Sequence, residues 1–232
     1  MQKNIFLSRI IPENGLCLLK RSGYDVDVHY KELPLSPEQL KKRVEKMHGL
    51  ICLLDDNIDR QLIDAAPQLE VISNMAVGYN NIDIEYAKSK GIAVCNTPGI
   101  LTQSTAELAW ALLFAIARRI PESDRFMREG KFTGWQPLLM LGGDISGQTL
   151  GVIGTGRIGT AFAMMSKGFN MRVLYNGKPN PDLDRELGAE NVDLETLIRE
   201  SDFISLHIPL REENHHLIGK KEFDMRKSTA CL

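Results

Sequence analysis

One stretch, Thr149-Leu150-Gly151-Val152-Ile153-Gly154-Thr155-Gly156-Arg157-Ile158-Gly159, sets the architecture of everything around it. A short apolar run leads straight into Gly-x-Gly-x-x-Gly, and a helical pattern follows through Phe162, Met165 and Phe169. Each glycine has a mechanical reason to be there. Gly154 permits the tight turn out of a strand, Gly156 lets backbone approach a pyrophosphate, and Gly159 lets the new helix lie flat on the sheet. The helix start adds unpaired N–H groups and a partial positive charge. A bare glycine pattern is weak, because glycine-rich turns are common. Set between a strand and a helix, it points to dinucleotide binding. The expected cofactor contacts are Gly154, Thr155, Gly156, Arg157, Ile158 and Gly159.

Working outward, the 232 residues suffice for one large domain or two modest ones. The net charge of −2 provides no basic field to recruit nucleic acid or an anionic membrane. Cys17, Cys52, Cys95 and Cys231 are widely spaced with no metal-ligand pattern, so they read as free thiols of a cytoplasmic protein that needs no metal. The N-terminal apolar run is too short for a signal peptide. Leu108–Ala117 is apolar throughout, between Glu107 and Arg118-Arg119. A membrane span needs about 20 such residues, so this run reads as a buried helix.

Residues 4–95 alternate strand and helix. Strands are expected at Asn4–Leu7, Val26–Tyr30, Leu50–Leu54, Glu70–Ser73 and Ile92–Cys95, and helices at Glu13–Arg21, Ser36–Met47, Asp59–Ala65 and Ile82–Lys90. Such alternation means a parallel sheet covered on both faces. A long helix opens near Thr102 or Ser104 and has almost no polar face, which implies burial on several sides. Met127–Gly147 is irregular and carries Trp135 and Leu138-Leu139-Met140-Leu141, an apolar patch suited to cover by another subunit. The nucleotide unit then reads as strand Gln148–Ile153, helix Arg157–Gly168, strand Met171–Tyr175, helix Leu194–Glu200 and strand Phe203–His207. A short helix near Lys220–Met225 and the opening of another strand at Thr229–Leu232 follow. A complete dinucleotide fold has about six strands, so this half is expected to be incomplete, with an exposed sheet edge and poor solubility unless a partner supplies the cover.

Six motifs occur in order: Asn74-Met75-Ala76-Val77-Gly78-Tyr79-Asn80-Asn81-Ile82-Asp83, Asn96-Thr97-Pro98, Leu101-Thr102-x-x-Thr105-Ala106-Glu107-Leu108-Ala109, Gly154-x-Gly156-Arg157-Ile158-Gly159, Ser201-Asp202-Phe203, and His207-Ile208-Pro209-Leu210. On these the chain resembles the D-isomer-specific 2-hydroxyacid dehydrogenases, among them the glyoxylate/hydroxypyruvate reductases and D-3-phosphoglycerate dehydrogenases. The resemblance implies an α/β fold of two parts. Residues 1–100 would be the N-terminal part of a flavodoxin-like substrate (catalytic) domain, and 101–232 the first half of a Rossmann-like, doubly wound NAD(P)-binding domain. It also implies a homodimer formed through the nucleotide-binding domain. Val77 and Gly78 would hold the substrate carboxylate on backbone N–H groups, as a bare concave turn can. Thr105 would lie beside the nicotinamide, and His207 and Pro209 beside the cofactor ribose.

A carboxylate at the end of the second strand would bond the 2′-hydroxyl of NAD and repel a 2′-phosphate. By the resemblance that position falls on Gly177, in Asn176-Gly177-Lys178. No acid stands there and a cation follows, which favours NADP(H) over NAD(H), with Asn176 and Lys178 meeting the phosphate. Asp182 and Asp184 are the acids that could swing in instead.

Reduction of a 2-keto acid needs a cation on the carboxylate, a proton donor, and an acid that keeps the donor charged. In the resembling enzymes these are Arg, His and Glu, all falling beyond Leu232. The 232 residues therefore read as the front part of a longer reductase, without turnover alone, acting on a small 2-keto or 2-hydroxy acid. Alternative readings are D-3-phosphoglycerate dehydrogenase, or a non-catalytic dinucleotide-sensing protein on the same scaffold.

Overall fold

The computed structural model describes residues 2–232 and divides into two compact units, one up to Ile100 and one over Leu101–Leu232. The first runs β1 (Asn4–Leu7), α1 (Glu13–Arg21), β2 (Asp25–Val28), α2 (Pro37–Val44), β3 (Gly49–Cys52), α3 (Arg60–Asp64), β4 (Val71–Asn74), α4 (Ile84–Ser89) and β5 (Ala93–Cys95). Its parallel sheet has the order β2-β1-β3-β4-β5, the flavodoxin-like winding. Local chemistry places the helix starts. Ser36 accepts from the Gln39 N–H while Gln39 reaches back, Pro37 occupies the first turn, and Asp59 and Asp83 cap α3 and α4. Alternation along β1 sends Phe6 into a core with Leu50, Ile72, Val44, Leu62 and Ala87. It sends Ile5 and Leu7 to the other face, with Val28, Leu16 and Leu19. The winding reverses between β1 and β3, and at their carboxyl ends the chain continues through Ser8-Arg9 and Leu53–Asp56.

The second unit runs α5 (Thr102–Ala117), α6 (Ile120–Arg128), β6 (Thr149–Ile153), α7 (Arg157–Met165, tightening to a 3-10 turn at Ser166–Phe169), β7 (Arg172–Asn176), α8 (Pro181–Leu187), β8 (Glu190–Asn191), α9 (Leu194–Glu200), β9 (Phe203–Leu206) and α10 (Lys220–Met225). The sheet order β8-β7-β6-β9 is 3-2-1-4 counted from β6, the Rossmann winding, with its reversal between β6 and β9. The strand expected at Thr229–Leu232 is present as one parallel bridge. Cys231 donates its N–H to Asp202 and accepts from the Ile204 N–H, beside Phe203. An apolar recess of about 240 Å³ lined by Leu112, Leu113, Phe162 and Ile204 adjoins it.

The long apolar helix departs from expectation. α5 buries Ala106, Trp110 and Ala117, whereas Leu108, Leu112 and Ile116, four residues apart, are 61%, 56% and 55% exposed. A sequence apolar all round does not say which faces the chain's own core will cover. Here one face packs on α7, and the other is an open stripe that continues to Ile120. On the packed side the Trp110 indole donates to the Phe162 carbonyl at 2.9 Å and stacks on Phe162 and Phe169, each centroid 5.2 Å away. Past α6 the chain to Gln148 forms no regular element, and Trp135 and Leu138 are more than four-fifths exposed. Among the described residues no helix is long and apolar enough to cross a membrane.

Candidate functional site

In the second unit the glycine loop sorts its three glycines by what surrounds them. Gly154 turns at φ +97°, and a Cβ there would lie 2.6 Å from the His207 carbonyl and the Ile208 methyl. A Cβ at Gly159 would come within 2.0 Å of the Gly154 carbonyl, so bare backbone is what lets α7 lie on the loop. Gly156 is the reverse: nothing stands within 4 Å of where its Cβ would be. No side chain caps α7, so its first N–H groups face that open space with the positive end of the helix dipole. Arg157 is exposed, and its guanidinium makes no hydrogen bond or ion pair among the described residues. Open backbone, unsatisfied donors and a free cation at the sheet's winding reversal fit a pyrophosphate.

Beside this loop, Asn176, Gly177 and Lys178 leave the end of β7. The Thr155 hydroxyl donates to the Lys178 carbonyl at 2.8 Å, and the Asn176 amide donates to Val192 at 2.9 Å. Asn176 thus commits one amide hydrogen to the protein. The Lys178 ammonium is exposed and unpartnered among the described residues. The nearby acids are engaged on α8: Asp182 pairs with Arg185 at 2.8 Å, and Asp184 accepts from the buried Tyr175 hydroxyl at 2.8 Å. At the end of β9, His207 is half-buried with its ring 4.9 Å from Phe162 and its Nε2 2.9 Å from the Ser205 hydroxyl. Burial holds this imidazole below its ordinary value, disfavouring its charged form. Pro209 and Thr105 are exposed, the latter in the first turn of α5.

In the first unit the turn at Val77-Gly78 follows β4, the strand paired with β3. Its carbonyls are all tied inward. Thr97 N–H donates to Ala76, the Asn96 amide to Val77 at 2.9 Å, and the Asn74 amide to Gly78 at 2.8 Å. A trans peptide points its N–H opposite to its C=O, so the N–H groups of Val77, Gly78 and Tyr79 are turned the other way. The Val77 and Gly78 N–H groups have no acceptor among the described residues, and Gly78 is exposed. Beneath the turn, Asn74 also donates to Asn81, which donates to the Leu53 and Asp56 carbonyls at 2.9 and 3.0 Å. The buried Asp56 carboxylate accepts from the Ser8 hydroxyl and the Leu53 N–H and lies beside Arg9. Sequence reasoning named Val77 and Gly78 but missed Asn74, Asn81 and Asn96, which aim them. All three stand in the quoted motifs.

The remaining histidines have structural partners. His29 Nε2 lies 3.1 Å from the Leu33 carbonyl, His48 Nδ1 accepts from the Asn4 N–H, and the rings of His215 and His216 lie 3.9 Å apart. Among the described residues no histidine is hydrogen-bonded to a carboxylate, and no cluster of three or more His, Cys, Asp or Glu could hold a metal.

Comparison with known proteins agrees with both windings and the glycine loop. Residues 110–232 match the family model "D-isomer specific 2-hydroxyacid dehydrogenase, NAD binding domain". The whole chain is 46% identical to a glyoxylate reductase of Thermococcus litoralis over 239 aligned positions, covering 71% of that protein. It is 47% identical to a glyoxylate reductase of Korarchaeum cryptofilum, of which it covers 70%. The crystal structure of the TT0316 protein from Thermus thermophilus superposes with a TM-score of 0.91 at 40% identity, over 97% of this chain and 70% of that one. The chain belongs to the D-isomer-specific 2-hydroxyacid dehydrogenase family, oxidoreductases that work with a nicotinamide cofactor.

Proposed function

We propose that the protein reduces a small 2-keto acid of the glyoxylate or hydroxypyruvate type with a nicotinamide cofactor, and that NADPH is preferred. The observation that carries the reading is the open Gly156 at an uncapped helix start, between two glycines crowded by backbone. Such a loop suits a pyrophosphate better than a tight structural turn does. Gly154, Thr155, Gly156, Arg157, Ile158 and Gly159 would hold the diphosphate, Thr105 would border the nicotinamide, and His207 and Pro209 the ribose. The bound cofactor supplies the hydride. On the substrate side, the outward N–H groups of Val77 and Gly78 suit a carboxylate, and the Asn74 and Asn96 anchors keep them aimed before it arrives. Glyoxylate reductase is also the activity named for the relatives in Thermococcus and Korarchaeum.

Three arguments support NADP(H). Gly177 brings no carboxylate to the second strand's end, Asp182 and Asp184 are held by Arg185 and Tyr175, and Lys178 is free to pair with a phosphate. The proton donor is a different matter, since each histidine already has a structural neighbour and, among the described residues, none is hydrogen-bonded to a carboxylate. The 232 residues by themselves are thus expected to bind nucleotide and not to turn over. The exposed Leu108, Leu112, Ile116, Trp135 and Leu138 form the surface on which a second copy of the chain would pack, giving a homodimer through this unit.

Calorimetric titration with NADPH and NADH side by side, and a glyoxylate reduction assay followed by nicotinamide absorbance, test these points. Tighter NADPH binding with a rate equal to the blank is expected. Equal or stronger NADH binding overturns the cofactor preference, and a rate well above the blank overturns the expected inactivity.

A further inference from the structure

The phosphate loop and the β7–α8 loop are joined twice at one residue. The Thr155 hydroxyl donates to the Lys178 carbonyl at 2.8 Å. The Thr155 carbonyl accepts from the Thr160 hydroxyl at 3.2 Å, and that hydroxyl in turn accepts from the Asn180 amide at 2.8 Å. Asn180 is itself locked, its side chain capping α8 and its N–H donating to the Tyr175 hydroxyl. The chain leaving β7 is thus pinned on both sides of Pro179. Ahead of the pins lies Gly177, a flexible residue whose Cα packs on Thr155: a Cβ there would meet the Thr155 hydroxyl at 3.0 Å.

Lys178 carries the exposed, unpartnered ammonium on this loop. Its side chain is long, and an exposed lysine discriminates poorly between ligands unless its backbone is fixed. We propose that Thr155 is the positioning residue for cofactor choice: by clamping the Lys178 carbonyl to the glycine loop, its hydroxyl holds the lysine where a 2′-phosphate would lie once the pyrophosphate is seated. This inference rests on the NADP(H) reading above and adds a residue that touches neither the 2′-phosphate nor its lysine side chain. Its signature is a loss of discrimination without a loss of dinucleotide binding.

The test is a set of calorimetric titrations of the 232-residue chain with NADPH and NADH, for wild type, Thr155→Val, Thr155→Ser and Lys178→Ala. Valine keeps the shape and removes the donor, while serine keeps the donor. With its hydroxyl committed to Lys178, Thr155 would meet the diphosphate only through its backbone N–H, which valine and serine both keep, so loss of the one positioning hydrogen bond is expected to weaken NADPH about fivefold in Thr155→Val and to leave NADH within about twofold. Thr155→Ser should retain the wild-type ratio, and Lys178→Ala should lose it entirely. If Thr155→Val weakens both nucleotides alike, or neither, while Lys178→Ala still abolishes the preference, the clamp is wrong and the NADP(H) reading stands. If wild type shows no preference for NADPH, or Lys178→Ala leaves it intact, that reading fails and the clamp fails with it. Thermal melts of all four proteins exclude unfolding as the cause, and Thr155→Ser supplies the folded comparison should the valine variant be unstable.

Discussion

Two single-methyl substitutions, three residues apart in the glycine loop, should do opposite things. Gly159→Ala puts a Cβ 2.0 Å from the Gly154 carbonyl and 3.1 Å from the His207 Cβ. The first obstacle is backbone, so the start of α7 must lift. Overpacking of this kind costs about 3 kcal/mol, and alanine's better helix propensity returns about 1, leaving a net loss of about 2 kcal/mol. For a unit of this size that lowers the melting midpoint by roughly 4–8 °C. Gly156→Ala meets nothing within 4 Å, and its φ of −71° and ψ of −172° are open to alanine. Its stability should stay within about 0.5 kcal/mol of wild type. The new methyl, however, stands where a pyrophosphate would approach, and nucleotide affinity should fall at least about tenfold. Both tryptophans, Trp110 and Trp135, lie in the second unit, so tryptophan fluorescence follows its melting alone, and the same signal follows nucleotide titration. A Gly156→Ala protein that binds NADPH within twofold of wild type, or a Gly159→Ala protein with an unshifted midpoint, would refute the assignment of open and closed positions.

Further outcomes are expected elsewhere. Leu112→Lys, at a side chain already more than half exposed, should leave the monomer's stability within about 0.5 kcal/mol and abolish self-association in analytical ultracentrifugation. Asn74→Ala leaves the Gly78 carbonyl and Asn81 without their donor and should cost about 1–3 kcal/mol, seen in the far-UV melt of the first unit while the tryptophan transition holds its place. Burial raises the Asp202 carboxyl, but the Lys227 ammonium at 2.8 Å and the Thr149 N–H at 3.0 Å outweigh it and leave the group below its ordinary value. The folded value is then lower than the unfolded one, so its stabilisation is full above about pH 4 and is lost as pH falls through the folded value. Asp202→Asn should cost about 1–2 kcal/mol at pH 7, and the gap from wild type should close in acid, as urea denaturation at several pH values would record.

Most of the architecture was legible because it is written in local patterns. Ser36-Pro37-x-Gln39 announces α2, and the apolar run before Gly154 announces β6 and the start of α7. The misses were short or lacked periodicity. α8 was overlooked because its seven residues carry little apolar repeat, although Asn180, Pro181 and Gly188 punctuate it as cap, first turn and left-handed stop. α6 follows α5 after two residues and begins from Arg119 at φ 53°, which no pattern of side chains foretells. β8 is two residues long and exists only because β7 pairs with it. The candidate site divides the same way. Its glycines and the Val77-Gly78 turn were readable, since they punctuate elements. The donors that orient them, Asn74, Asn81, Asn96 and Thr155, act across 4 to 28 residues of chain and become visible only when the fold closes.

Trp110 gives the nucleotide unit a fixed gauge length. It stands about a turn and a half along α5 from Thr105. One N–H and two ring contacts tie it to α7 and its 3-10 extension, the helix that begins just after Gly156. If the proposed dinucleotide reaches from Thr105 to the glycine loop, it would meet two helix starts whose spacing these contacts set, so its length would have to match that spacing.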